Sequence, residues 1–235
     1  MLVKTVAREF YNSARAHLER LERLRLGPAC LDTSNGADAH GLHDVQHLCQ
    51  HLPLFQRLRT LELPGLGLDD GAAFLLLQAC AEPTCTVREL DLSNNSIHHL
   101  DEALPGECRL TSLNLSENAL GEFEDDADGE VSVGTGLTCG ALGVLLSQYT
   151  SLRSLDLSHN EFHNAEVCLS CSFLTQLTHA FLTQLPHAQQ GRAIALALPL
   201  CTNLSSLDLL NTHWDAPTHN AIAAAWRGPA GGLLL

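Results

Sequence analysis

The sequence predicts an α/β solenoid, a stack of short repeats in which a strand alternates with a helical return. Three observations carry that expectation. An eleven-position template, L-x-x-L-x-L-x-x-N-x-L, recurs in full at Val87–Ile97, Leu110–Leu120 and Leu152–Phe162. Leucine supplies 48 of the 235 residues against three isoleucines and eight valines. That bias is foreign to the Val- and Ile-rich strands of a doubly wound sheet or a sandwich. Between the copies lie stretches whose apolar residues recur at helical spacing.

Taken in order, the chain begins with an amphipathic stretch over residues 4–23 (Val6, Phe10, Ala14, Leu18, Leu21), expected to cap the first rung as a helix. A weak copy of the template starts at Leu21, Leu24 and Leu26. Leu42, Val45, Leu48 and Leu52 then predict a helix over 41–52. A partial copy follows (Leu58, Leu61, Leu63, Leu66, Leu68), and its end runs into a second helical pattern reaching Cys80. Helical patterns return at Leu137–Tyr149 and at Arg192–Leu200, on either side of the third full copy. The last copy is partial (Leu204, Leu207, Leu209, Thr212, Trp214), and a helix over Pro217–Trp226 is expected to close it. The tail Gly228–Leu235 is expected to fray, leaving three leucines able to dock on a neighbour.

These motifs resemble leucine-rich repeats over roughly residues 21–226, and the passage Leu66–Cys80 is similar to the strand-to-helix passage of the ribonuclease-inhibitor-like subfamily. The resemblance implies a curved, right-handed β/α horseshoe fragment, with a parallel sheet on the concave face and helices on the convex one. It also implies a structural role for Asn95, Asn118 and Asn160, whose side chains would bond the backbone of adjoining turns. The repeat starts are separated by 37, 29, 23, 42 and 52 residues, so only the 29-residue step has the regular length of that subfamily. The expected layout is one unit over 1–235: a helical cap over 1–23, about six repeats over 24–212 with insertions at 121–136 and 163–190, and a cap and tail over 213–235.

Both insertions carry motifs that stop short of a metal site. Residues 122–130 hold six acids in nine positions, and Glu124, Asp126, Asp128 and Gly129 match the start of a calcium loop. Its twelfth position is Thr135, which cannot supply the bidentate carboxylate, so a solvated loop is expected, with partner binding as the second role. Cys168 and Cys171 form a single C-x-x-C pair without the second pair that zinc requires, and read as free thiols. Phe173–Leu177 and Phe181–Leu185 duplicate each other and predict an extra helix ending at Pro186, packed on the solenoid or, if its apolar side is uncovered, a docking helix.

Function is sought on the concave face. Leucines at template positions one, four and six point inward, which leaves positions three, five and seven outside. Position three reads Thr60, Glu89, Ser112, Ser154, Ser206; position five reads Glu62, Asp91, Asn114, Asp156, Asp208; position seven reads Pro64, Ser93, Ser116, Ser158, Leu210. Arg59, Arg88 and Arg153 at position two flank this acidic column and are expected to neutralise part of it. The chain has 27 acidic against 13 basic residues, a formal charge of −14, which argues against nucleic acid and anionic membranes as partners. No apolar window is long enough to span a bilayer, and the N-terminus lacks the apolar core of a secretory signal. Nine cysteines without a framework spacing point to reduced thiols, hence to the cytoplasm, with the cytoskeleton as a narrower option. His43 and His47 lack the glutamate of a zincin, and neither a nucleophile elbow nor a phosphate loop occurs. No cofactor and no small-molecule substrate are therefore expected. The sequence predicts a non-enzymatic protein-interaction scaffold with a basic protein partner. Two alternatives stand beside it: a small structural subunit of a cytoskeletal or ciliary assembly, and a GTPase regulator, which a likeness to the Ran GTPase-activating branch of the subfamily implies.

Overall fold

The computed structural model describes residues 20–27, 40–100, 108–120, 145–146, 149–161, 195, 198–212, 214 and 216–235. Among them, one sheet of seven parallel strands runs in chain order: β1 (Arg23–Arg25), β2 (Thr60–Glu62), β3 (Glu89–Asp91), β4 (Ser112–Asn114), β5 (Ser154–Asp156), β6 (Ser206–Asp208) and β7 (Leu233–Leu234). β2 to β6 each occupy template positions three to five, so the strands fall where the leucine spacing put them.

The strands are short, yet the hydrogen-bonded ladder runs past both of their ends. Before them, the Arg59 carbonyl accepts the N–H groups of Arg88 and Glu89 at 2.7 and 2.9 Å, and the Arg88 carbonyl does the same for Thr111 and Ser112. After them, the position-eight N–H groups of Gly65, Asn94, Glu117 and His159 each donate to the next rung at 2.8–3.0 Å. Position eight pays for this with a left-handed backbone: φ is 66° at Gly65, 54° at Asn94, 55° at Glu117, 55° at His159 and 56° at Asn211. Glycine and asparagine tolerate that conformation; glutamate and histidine do so at a cost.

The core is a column of leucine pairs from positions four and six. Leu61 and Leu63, Leu90 and Leu92, Leu113 and Leu115, Leu155 and Leu157, and Leu207 and Leu209 are all at most 2% exposed. Each fully buried leucine contributes roughly 1.5–3 kcal/mol. Behind the sheet, α1 (His40–His51) packs beside α2 (Asp70–Ala81). α2 is capped by Asp69, whose carboxylate accepts the Ala72 N–H at 2.9 Å, and it buries Ala72, Ala73, Leu76, Leu77 and Cys80. α3 (Ala216–Ala225) lies near the helix expected over Pro217–Trp226 and buries Thr218 and Ile222; Trp214 before it is buried as well.

The position-nine side chains occupy the bend between rungs. Asn118 Nδ2 donates to the carbonyls of Leu92, Leu115 and Ser116 at 3.0–3.1 Å, and its Oδ1 accepts the Ile97 N–H at 3.2 Å. Asn95 and Asn160 make the corresponding bonds to their own neighbours, Asn95 accepting from Leu66 and Leu68 and Asn160 from Leu120. In the last copy Thr212 holds this position and donates only to Leu209, at 2.7 Å.

The tail departs from expectation. In place of a frayed end, Leu233 and Leu234 pair in register with Leu207 and Asp208. The cause lies in two glycines. Gly231 turns the chain at φ 82°, and Gly232 passes so close to β6 that a Cβ there would sit 2.1 Å from the Ser205 carbonyl oxygen. Leu233 and Leu235 then pack against the core. The cap over 4–19, the insertions 121–136 and 163–190, and most of the helices expected over 137–149 and 192–200 lie outside the described residues.

Candidate protein-binding face

Template position three aligns Arg23, Thr60, Glu89, Ser112, Ser154 and Ser206 across the sheet, and position five aligns Arg25, Glu62, Asp91, Asn114, Asp156 and Asp208. Neighbouring strands sit about 4.8 Å apart. Four carboxylates therefore stand in one column, interrupted by Asn114 and headed by an arginine.

Position-five side chains are partly occupied by their own turn. One oxygen of Asp91, Asn114, Asp156 and Asp208 accepts the N–H two residues ahead, at 2.9, 2.9, 3.0 and 3.0 Å. Ser116 and Ser158 at position seven also donate their hydroxyls to that oxygen, at 2.8 and 2.7 Å. Position seven thus shares the face of position five. Glu89 at position three accepts the Thr60 hydroxyl at 2.9 Å.

The three arginines behave differently from expectation. Arg59 donates to the Thr86 carbonyl at 3.4 Å, and Arg88 to the carbonyls of Cys85 and Val87 at 3.4 and 2.7 Å. Among the described residues none of Arg59, Arg88 and Arg153 forms an ion pair with the column. Position two precedes the strand, so the Arg59 and Arg88 side chains serve the loop carbonyls beside it. Neutralisation comes instead from β1: Arg23 and Arg25 lie 3.6 and 3.8 Å from the Glu62 carboxylate. The weak first copy at Leu21, Leu24 and Leu26 contained this signal, because its positions three and five are Arg23 and Arg25.

A family model described as Leucine Rich Repeat matches residues 86–108 and 151–181. This is a leucine-rich-repeat protein. Its repeats are of the ribonuclease-inhibitor-like kind: the chain is 30% identical over 133 residues to the ribonuclease inhibitor of Sus scrofa, a match covering 48% of this chain and 29% of that one. It is also 30% identical over 155 residues to NACHT, LRR and PYD domains-containing protein 5 of Mus musculus, covering 57% of this chain and 13% of the relative. The chain thus matches less than a third of the length of either protein. Among solved structures it is similar to the tropomodulin C-terminal domain of Caenorhabditis elegans, with a TM-score of 0.43 and 9% identity over 91% of this chain and 89% of that one.

Elsewhere in the leucine-rich-repeat chain, no group of three or more His, Cys, Asp or Glu side chains is placed to hold a metal ion among the described residues. His47 lies on α1, and the His43 side chain is outside the described set. Cys168, Cys171 and the acidic run 122–130 lie outside it too. Among the described residues, no helix is long and apolar enough to cross a membrane. Cys49, Cys80, Cys85 and Cys108 are free thiols.

Proposed function

We propose that this chain is a non-enzymatic protein-interaction module whose concave face takes a basic partner. The observation that carries the reading is the register. Asp91, Asp156 and Asp208 stand in one column, each half-buried with one oxygen tied to its own backbone. Like charges on neighbouring rungs repel, and a cationic side chain laid over them relieves that repulsion while adding charge-assisted hydrogen bonds. The formal charge of −14 steers basic partners toward the molecule and leaves association sensitive to salt. The small serines of position seven give the face few anchors of its own, which suits recognition dominated by charge. A relative named ribonuclease inhibitor is in keeping with a binding role. The same reading puts the chain in a reducing, cytoplasmic setting, where its buried thiols stay unpaired.

The test is affinity capture with the parent protein and with Glu62, Asp91, Asp156 and Asp208 reversed to Lys. Basic partners retained by the parent, released by raised salt and absent from the reversed protein support the reading. The same partners recovered with the reversed protein overturn it.

A further inference from the structure

The face changes character along its length. On β2 Glu62 is already met by Arg23 and Arg25 of β1. Asp91, Asn114, Asp156 and Asp208 follow. Then the polar pattern stops. Leu210 stands at position seven, where Ser116 and Ser158 stand on the two rungs before, and Leu234 occupies position five in register with Asp208. These leucines are 39% and 44% exposed, and the other exposed large hydrophobic among the described residues is Leu54, in the turn after α1.

Asp208 shares with Asp91 a single bond from its own turn, and what sets it apart in the column is its two leucine neighbours. It accepts the Leu210 N–H at 3.0 Å but lacks the hydroxyl that Asp156 receives from Ser158 at 2.7 Å. Leu210 two residues ahead and Leu234 in register on the next rung give it apolar neighbours. A carboxylate with fewer donors and apolar neighbours gains more from an incoming cation.

We propose that this end of the sheet is the anchor of the docking face, and that its occupant is a protein segment carrying a basic side chain and a large apolar one close together. The basic group meets Asp208, and the apolar group covers Leu210 and Leu234. This rests on the reading of the face as an interaction surface for a basic partner. Complementarity requires both groups in one segment. A purely cationic segment leaves the two leucines in water, and a purely apolar one buries the Asp208 carboxylate without a counter-charge. Same-side residues of an extended segment recur about every 6.8 Å and the rungs about every 4.8 Å, so groups two residues apart span from Asp208 to the leucines.

Selection of short random peptides on the immobilised full chain tests this. The expected peptides pair Arg or Lys with Leu, Phe or Trp two positions away. Changing that apolar residue to Ala weakens binding about ten-fold, and the Leu210→Ser/Leu234→Ser protein loses affinity for the parent peptide by a similar factor. The peptide change needs no altered protein, so its result stands even if the double variant fails to fold. Basic peptides without an apolar residue, or an apolar-to-Ala change without effect, overturn the anchor and leave the basic-partner reading intact. Peptides without basic residues, or none selected, overturn both.

Discussion

Glu117 and Asn118 are neighbours in sequence and opposites in what they do for the fold. Glu117 sits at φ 55°, a conformation that a side chain with a Cβ adopts at a cost of roughly 1–2 kcal/mol, less for asparagine. Its N–H is all that the ladder uses, donating to the Ser158 carbonyl at 3.0 Å. Asn118 is buried, and its amide satisfies three carbonyls that have no water to turn to. Glu117→Asn is therefore expected to raise stability by about 0.5–1 kcal/mol, because the backbone stays and the strain falls. Asn118→Ala is expected to lower it by about 3 kcal/mol through unsatisfied buried carbonyls. Urea unfolding of the two variants measures both. Equal midpoints would show that neither the left-handed turn nor the buried amide matters as described.

At the scale of elements, the inner leucines of β2 to β6 were legible because a three-residue strand flanked by leucines leaves little choice of register. The tail was not. Leu233 and Leu234 carry no template around them, and what makes them a strand is the missing side chain of Gly232, a fact about the Ser205 carbonyl above it. Likewise the acidic column could be read from spacing, whereas the destinations of Arg59 and Arg88 could not. Which carbonyl a long side chain reaches depends on the path of the loop, and the sequence pattern records only the strand. The glycine gives a direct test of β7. Gly232→Ala is expected to push the tail off β6, since its Cβ would meet the Ser205 oxygen at 2.1 Å. The Leu207 and Leu209 amides, which donate to Gly232 and Leu234 at 2.7 and 2.9 Å, should then lose hydrogen-exchange protection. Protection unchanged at both amides would mean that β7 does not depend on that close approach.

For the molecule as a whole, the buried thiols set an alkaline limit on stability. Burial pushes Cys49 up to about 12 and Cys201 up to about 11 from the usual value near 9.0. Above about pH 9 the unfolded chain ionises these thiols while the folded chain keeps them protonated, so stability falls as pH rises toward their folded values. Cys85 acts in the opposite sense. A hydrogen bond with Cys80 draws it down to about 7, so the folded protein releases that proton first and stability rises with pH between about 7 and 9. These two trends together place the thiol contribution at its maximum near pH 9. Urea midpoints measured across this range should show the alkaline decline flattened by Cys49→Ala/Cys201→Ala and the rise below it flattened by Cys85→Ala. Parallel profiles in parent and variants would remove the thiols from the explanation.

The tethered aspartates of the sheet have a thermodynamic corollary. A free surface carboxylate surrenders rotational freedom when a ligand fixes it, and that loss subtracts from affinity. Asp91, Asp156 and Asp208 have already surrendered theirs to their own backbone N–H groups. Whatever cation settles on this row meets acceptors aimed in advance, and the entropy of ordering them belongs to folding, settled before any encounter.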